Sequence, residues 1–265
     1  EAEEAGSKLA AVLFPQVNTF GILEDVDGLT ELCAEYDTRS IAVIDPILLA
    51  TGGLKPPVDF GRNGADMIVG EGQHLAIGPN FGGPGLGIFG VRHNEKTKND
   101  IRQTPGRFVG RAEDAVGREC LSMILSTREQ HIRKDRATSN ICSNQAFLAT
   151  LAGASLLSRG DRNLMTEVRE ARRKARDAAE GMAKTRGVRL AFPDAPFFNE
   201  FTLELPEPVE AVLRDGRGAG FHLGVDIGDR VPGNRNLLKV SFSDVHSAND
   251  VGKLVAFFES RYGAE

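Results

Sequence analysis

The sequence predicts an α/β protein in which a parallel, helix-covered sheet is followed by a smaller α+β unit. Three observations support this class. Short apolar runs alternate with helix-like segments in the first part of the chain, two helical patterns follow each other in the middle, and short strands mix with short helices after Gly187. Alternation of short apolar strands with helices is typical of parallel sheets whose faces are covered by helices.

Four apolar runs predict the strands of the first sheet, at residues 10–16, 40–45, 65–72 and 85–91. Short apolar runs bounded by polar or glycine-rich segments favour buried strands. Between the first two runs, residues 28–36 have the spacing of an amphipathic helix, with Leu29, Leu32 and Cys33 on one face.

The middle of the chain predicts two consecutive helices. Residues 141–158 carry apolar side chains at helical spacing, and Ser139 or Asn140 would be a good N-cap. Gly160 is expected to end this helix, and Asp161 to begin a second one that runs to about residue 184. The expected buried stripe of the second helix consists of Leu164, Val168, Ala171, Ala175 and Met182.

The last part of the chain predicts strands at residues 188–192, 198–205 and 237–243, with a short helix over 209–215. Ser247 and Asp250 have the spacing of an N-cap and its N3 partner, so they predict the start of a final helix. We therefore expect residues 1–160 to belong to a large α/β domain, 161–186 to form a connecting helix, and 187–265 to form a small α+β domain.

Composition excludes several classes of protein. The chain has 265 residues, 41% hydrophobic and 26% charged, and a formal net charge of −5, so no general attraction to nucleic acid is expected. No apolar run approaches the roughly 20 residues of a membrane span. The three cysteines lack the spacing of a metal site, and their small number fits a reducing cytoplasm. The acidic N-terminal stretch has no signal or transit pattern.

Two motifs have an ordinary structural reading. Gly85, Gly87 and Gly90 match G-x-G-x-x-G, but a strand-like run follows them instead of the helix that dinucleotide binding requires. Residues 169–176 are strongly basic, yet acidic residues interleave with the arginines, so a solvated and partly ion-paired helix face is favoured over a phosphate-binding one.

Asp45 is the first candidate site residue. It ends an apolar strand and precedes Pro46, and open α/β sheets place ligand chemistry at the carboxyl ends of such strands. The same pattern is also that of a simple turn or helix cap, and the residues alone do not decide between the two.

A second candidate region is the cationic segment with Arg128, His131, Arg133, Lys134 and Arg136. It runs into an apolar helix through three small polar residues: Thr138, Ser139 and Asn140. A cationic loop at a helix N-terminus can receive an anion, but many surface loops have a similar composition, so both interpretations stay open.

Several segments, taken together, resemble the glycine cleavage system P-protein family, glycine dehydrogenase (decarboxylating). The most distinctive is TREQHIRKDRATSNICSNQAFLA. The others are IDPILLATGGLKPP, GADMIVGEGQ, NFGGPGLGIFGVR, TPGRFVG and PFFNEF. The resemblance is to subunit 1, the alpha subunit of the two-subunit form, and extends in family order from about Ala10 to Glu259.

The resemblance implies a fold-type-I, aspartate-aminotransferase-like architecture, with a large pyridoxal phosphate (PLP) domain and a small C-terminal α+β domain. A whole subunit of this family would be longer, so we expect this chain to match its second half and to lack the first strands of the large domain. An incomplete sheet would expose an unpaired edge.

The implied reaction is decarboxylation of glycine on PLP, with transfer of the aminomethyl carbon to the lipoyl group of the H-protein and release of carbon dioxide. In the catalytic subunit a lysine holds the cofactor. Matched residue by residue, its position falls near His74, and no lysine occurs between Lys55 and Lys96. Histidine has no primary amine, so it cannot replace that lysine.

The resemblance therefore implies an alpha subunit with no catalytic or metal-binding residue of its own, whose beta partner holds PLP in an α2β2 assembly. Asp45 would match the carboxylate beside the cofactor's ring nitrogen without serving as a ligand. Arg128, His131 and Arg133 would shape the inter-subunit cleft. Thr138, Ser139 and Asn140 would cap the following helix. The alternatives are a purely architectural subunit and a self-sufficient PLP-dependent aminotransferase or lyase.

Overall fold

The computed structural model describes residues 8–101, 103–104, 109–123, 130–137, 144–233 and 235–263. The strands are β1 (Ala11–Pro15), β2 (Arg39–Ile44), β3 (Met67–Glu71), β4 (Gly87–Val91), β5 (Val109–Glu113), β6 (Glu119–Met123), β7 (Arg189–Leu190), β8 (Glu200–Glu204), β9 (Val225–Asp226) and β10 (Leu237–Ser241). The helices are α1 (Val26–Glu35), α2 (Gln73–Ala76), α3 (Lys98–Ile101), α4 (Gln130–Arg133), α5 (Asn144–Met182), α6 (Val209–Gly218) and α7 (Ala248–Tyr262).

The first sheet has the order β1-β2-β3-β4, as the four apolar runs predict. β1, β2 and β3 are parallel, whereas β4 pairs with β3 in the antiparallel direction. A buried cluster that includes Phe14 of β1 and Ala42 of β2 packs against α1. The helix is shifted from the expected face: Val26, Thr30 and Cys33 are buried, but Leu32 is 52% exposed.

α5 is two helices in succession, because Gly160 has non-helical angles of φ 66° and ψ 164°. This is the interruption that the sequence predicts, and it needs the positive φ that glycine tolerates. The second half of α5 buries Val168, Ala171, Ala175 and Met182. The proposed caps of the first half, Ser139 and Asn140, lie outside the described residues.

The second sheet has the order β7-β8-β10-β9 and is antiparallel throughout. Its apolar face packs against α5, α6 and α7 in one buried cluster whose largest side chains are Phe201, Phe242 and Phe258. At the start of α7 the Ser247 side chain accepts from the Asp250 amide, and the Asp250 carboxylate accepts from the Ser247 amide, so the predicted cap is confirmed.

The two sheets are joined through side chains and backbone. Leu48, Val168 and Phe198 form a small buried cluster between them. Nearby, the Thr202 hydroxyl donates to the Phe20 carbonyl at 2.7 Å. Gly21 (φ 79°) passes so close to Glu200 that a Cβ atom there would lie 2.7 Å from that residue's carbonyl carbon. The division of the chain into three parts at residues 160 and 186 stays a prediction.

The hairpin of β5 and β6 was not predicted from the sequence. Its strands pair with Val109 opposite Met123 and Arg111 opposite Leu121, and all four side chains are exposed. Alternation of apolar and charged side chains without a buried face gives a weak strand signal. Within the described ranges, no helix has the length and apolarity that a membrane crossing requires.

Candidate active-site cavity

A cavity of about 600 Å³ lies beyond the carboxyl ends of β2 and β3. The walls also include parts of α5 and the ends of the segments around β8 and β10. The polar side chains that line it are Asp45, His74, Ser155, Arg159, Glu167, Asn199, Glu200, Ser241, Ser243 and Asp244. Open sheets with parallel strands place their ligands at this edge, so this cavity is the candidate site.

Asp45 and His74 form an ion pair at the sheet end of the cavity. His74 Nε2 lies 3.1 Å from Asp45 Oδ1. The same carboxylate oxygen accepts a hydrogen bond from the Ile47 amide at 3.1 Å, which caps the 3₁₀ turn Pro46–Leu49. Asp45 is therefore a turn cap that also lines the cavity, and its role in ligand chemistry stays a prediction.

The surroundings favour the charged form of the His74 imidazole. Its hydrogen bond to Asp45 raises the pKa of His74 above the usual 6.5, and the negative charges of Asp45 and Glu71 act in the same direction. Partial burial and the charge of Arg159 oppose this rise. The pair is open to solvent, with the side chains of His74 and Asp45 42% and 44% exposed, so its stabilising effect is small.

Glu71 fastens the chain on either side of α2. Its Oε1 accepts from the amides of Gln73 and Leu86, both at 2.7 Å. The bond from Leu86 is the main cause that lowers the pKa of the Glu71 carboxyl. This arrangement fixes where α2 begins, and with it the position of His74.

The helix side of the cavity contains a second ion pair, which sequence reasoning missed. Arg159 Nη1 lies 3.0 Å from Glu167 Oε2, so this pair crosses the break at Gly160 and joins the two halves of α5. The signal available in the sequence was an arginine directly before the predicted break. On the opposite wall, Asn199 donates to the Phe242 carbonyl at 3.0 Å, while its Oδ1 is buried without a partner among the described residues.

None of the described residues that line the cavity is a lysine. Lys174 is only 7% exposed, and its Nζ donates to the backbone carbonyl of Asp244 at 3.2 Å. Lys55 is held at 2.7 Å by the Asp27 carboxylate. No amine in the described walls is therefore placed to hold an aldehyde cofactor.

These contacts test whether PLP would fit here. A PLP site of this fold needs a lysine amine and a carboxylate that is free to face the ring nitrogen. The lining supplies no amine from the described chain, and the Asp45 carboxylate is already engaged by His74 and the Ile47 amide. The described residues of this lining do not fit PLP.

A larger groove of about 690 Å³ lies beside α1, but its cations have structural partners. Lys96 Nζ contacts the buried Asp66 carboxylate and the Thr38 carbonyl, each at 2.9 Å. Arg92 donates to the carbonyls of Val58 and Ala65. Because these groups hold loops against the sheet, the groove is less well supported as a functional site than the cavity at the strand ends.

The cationic segment lies partly outside the described residues. Arg128, Thr138 and Asn140 lie outside the described residues, and so does the His131 side chain, although its backbone belongs to α4. Arg133, the last residue of α4, is exposed. The roles expected for these residues stay predictions.

The glycine motif does not form a dinucleotide-binding turn. Gly87 and Gly90 lie within β4, and a Cβ at Gly90 would meet the Ile68 side chain at 2.8 Å. On α5, Arg173 pairs with Glu170 and Asp177 at 2.8 and 2.7 Å, so at least this arginine of the basic stretch belongs to an ion-paired face, as expected.

Comparison with solved structures identifies the class. The chain matches a NifS-like protein from Rickettsia africae (TM-score 0.61, 13% identity, covering 97% of this chain and 62% of that one). It also matches an alanine–glyoxylate aminotransferase from Nostoc sp. (TM-score 0.59, 15% identity, covering 98% and 63%). The fold is that of fold-type-I PLP-dependent enzymes, as the family resemblance implies.

More similar proteins give the family. A sequence model of the glycine cleavage system P-protein matches residues 1–258, so the chain belongs to that family. It is similar to a crystal structure of glycine decarboxylase (P-protein) in inhibitor-bound form (TM-score 0.83, 33% identity, covering 95% of this chain and 55% of that one).

Two curated relatives carry the name probable glycine dehydrogenase (decarboxylating) subunit 1. That of Nitrosomonas europaea is 37% identical over 249 residues, which cover 94% of this chain and 53% of the relative. That of Methylococcus capsulatus is 41% identical over 208 residues, which cover 78% and 44%. The chain thus spans about half the length of the curated relatives it matches.

Proposed function

We propose that this chain acts as part of the alpha subunit of a two-subunit glycine dehydrogenase (decarboxylating), and that the complementary beta subunit holds the PLP. The observation that supports this division is the contact between Asp45 and His74 in a cavity whose described lining has no lysine. The names of the relatives, subunit 1 of that enzyme, support the identity of the assembly.

In this proposal the assembled enzyme, an α2β2 heterotetramer in the cytoplasm, decarboxylates glycine and passes the aminomethyl carbon to the lipoyl group of the H-protein. The electron sink for that decarboxylation is the PLP of the beta subunit. This chain binds the beta subunit, stabilises the assembly and completes the cleft between the subunits. Arg133, with Arg128 and His131, is proposed to shape the approach of the lipoyl carrier.

Reconstitution tests the proposal. The chain is mixed with the beta subunit, PLP and lipoylated H-protein, and the glycine–bicarbonate exchange rate is compared with that of the beta subunit alone. We expect exchange to rise with added chain until the two subunits are equimolar. An exchange rate that does not change with added chain would contradict the proposal.

A second experiment separates this function from a purely architectural role. Arg133→Ala should lower exchange by the assembled enzyme while leaving assembly intact. Arg214→Ala is the matched control, because Arg214 is an arginine on the surface of α6 with a 67% exposed side chain. Equal exchange rates for the two variants at equal assembly would favour the architectural alternative.

The self-sufficient enzyme makes a different prediction. A chain that held its own PLP would be yellow, and borohydride would trap the cofactor on one of its own lysines without the beta subunit. The cavity gives this alternative no support, since the carboxylate it would need is occupied by His74.

A further inference from the structure

The turn between α2 and β4 has an unusual residue at its tip. The Gly83 amide donates to the Asn80 carbonyl at 2.9 Å, and the two central residues, Phe81 and Gly82, have φ values of 49° and 90°. Such a turn, with two left-handed central residues, normally takes Asn, Asp or Gly at the first of them. Here that position is phenylalanine, and its side chain is 100% exposed.

Phe81 therefore carries two costs within this chain. A left-handed backbone is strained for a bulky residue, and an aromatic ring in water forgoes the free energy of burial. Full exposure shows that the described residues give the ring no packing in return. Strained backbone is concentrated at functional contacts, and no described residue packs on this ring, so we expect its contact outside the described residues.

The turn is also held in place. Asn80 Nδ2 donates to the Pro84 carbonyl at 2.9 Å. At the base of the loop, Gln73 Nε2 donates to the carbonyls of Ile77 and Gly78 at 2.9 and 2.6 Å, and Glu71 accepts from the Leu86 amide. Because side chains brace both ends, Phe81 projects from an ordered loop, which reduces the entropy lost on binding.

We propose that Phe81 is an anchor that inserts into an apolar pocket of the complementary beta subunit. The proposal rests on the proposed function. The loop that carries Phe81 begins with Ile77, Gly78 and Pro79, which line the cavity at the strand ends. The described lining of that cavity supplies no lysine amine, and in the proposed function the other subunit completes the catalytic site there. An anchor on the rim of this cavity would fix the position of the two subunits relative to each other at the catalytic site.

The test uses Phe81→Asn, which suits the left-handed position but removes the ring. Its thermal midpoint should equal or exceed that of the wild type, because the turn is relieved of strain. Its Kd for the beta subunit should rise about 30-fold, the effect typical of losing an aromatic hot spot. Phe81→Leu, which keeps an apolar side chain, should show a smaller rise.

Val116→Asn is the matched control, since Val116 is also an exposed apolar turn residue (73% exposed), on the β5–β6 hairpin. We expect its Kd to equal that of the wild type. Wild-type binding with no loss for Phe81→Asn, or the same loss for Val116→Asn, would overturn the anchor.

Two further outcomes identify the source of a failure. If the wild type does not bind the beta subunit at all, the proposed function fails and the anchor fails with it. If Phe81→Asn instead abolishes self-association of this chain and leaves binding to the beta subunit unchanged, the ring docks into a second copy, and the assignment of the partner is wrong.

Discussion

Arg261 near the end of α7 offers the clearest test of what holds the C-terminal unit together. Its Nε and Nη2 donate to the two carboxylate oxygens of Glu207 at 2.7 and 2.9 Å, and its Nη1 donates to Asp215 at 2.7 Å. These acids lie 54 and 46 residues away in sequence. Arg261 therefore ties the last helix to α6 and to the segment before it.

The magnitude follows from geometry and burial. The Arg261 side chain is 19% exposed and that of Glu207 is 31% exposed, so the paired charges are partly shielded from water. Hydrogen bonds to charged groups contribute about 1.5–3 kcal/mol each when well protected and far less when exposed. For Arg261→Met, which keeps most of the side-chain stem, we expect a loss of about 2 kcal/mol in the free energy of unfolding.

Urea unfolding of the purified chain measures this loss, with Arg173→Met as the control. Arg173 also contacts two acids, but both lie within four residues of it on the exposed face of α5. We expect no measurable change for the control. If the two variants lose the same unfolding free energy, the number of ion pairs, and not the link between distant elements, determines the stabilisation.

The pH dependence has a definite sign. Arg261 lowers the pKa of the Glu207 and Asp215 carboxyls below their usual 4.5 and 3.8. Carboxyls with a lowered folded pKa stabilise the fold above their ordinary pKa and lose that contribution as the pH falls through the folded value. The difference in unfolding free energy between wild type and Arg261→Met should be greatest near neutral pH and should shrink in acid. A difference that grows in acid would contradict the role of these ion pairs in stability.

Two other substitutions test the cavity and the junction between the sheets. His74→Gln should lower the free energy of unfolding by less than about 1 kcal/mol, because the pair of His74 and Asp45 is exposed. Since the folded pKa of His74 is raised, this loss should be present below pH 6.5 and disappear as the pH rises through that folded pKa. A loss that grows with pH in urea unfolding would contradict this. Gly21→Ala should lower the free energy of unfolding by about 1–3 kcal/mol, and by more than Gly117→Ala does. The two glycines share nearly the same φ (79° and 78°), but a Cβ at Gly117 meets nothing within 4 Å. Equal losses would show that backbone strain alone, and not the close contact at Gly21, causes the destabilisation.

The sequence was sufficient for elements whose signal is local. The four strands of the first sheet are apolar runs, and Gly160 followed by Asp161 marks the break in α5. The β5–β6 hairpin was missed because its side chains alternate without a buried face. Leu32 was assigned to the wrong face of α1, since helical spacing alone does not identify which stripe meets the sheet.

The site was predictable only in part. Asp45 follows β2 and His74 follows β3, and adjacent parallel strands end at the same edge, so their neighbourhood could be expected from the sequence. Their contact at 3.1 Å depends on how Glu71 positions α2, and the pair of Arg159 with Glu167 depends on the angle at Gly160. Such contacts follow from tertiary geometry, which residue spacing does not contain.

Borohydride trapping decides which of the two subunits carries the PLP-binding lysine. The chain alone, and the chain with the beta subunit, are incubated with one equivalent of PLP per subunit, reduced with borohydride and mapped by mass spectrometry. We expect a stoichiometric pyridoxyl group on a lysine of the beta subunit and none on this chain. A stoichiometric adduct on this chain, at Lys174 or at any other lysine, would contradict the proposal that the beta subunit alone holds PLP.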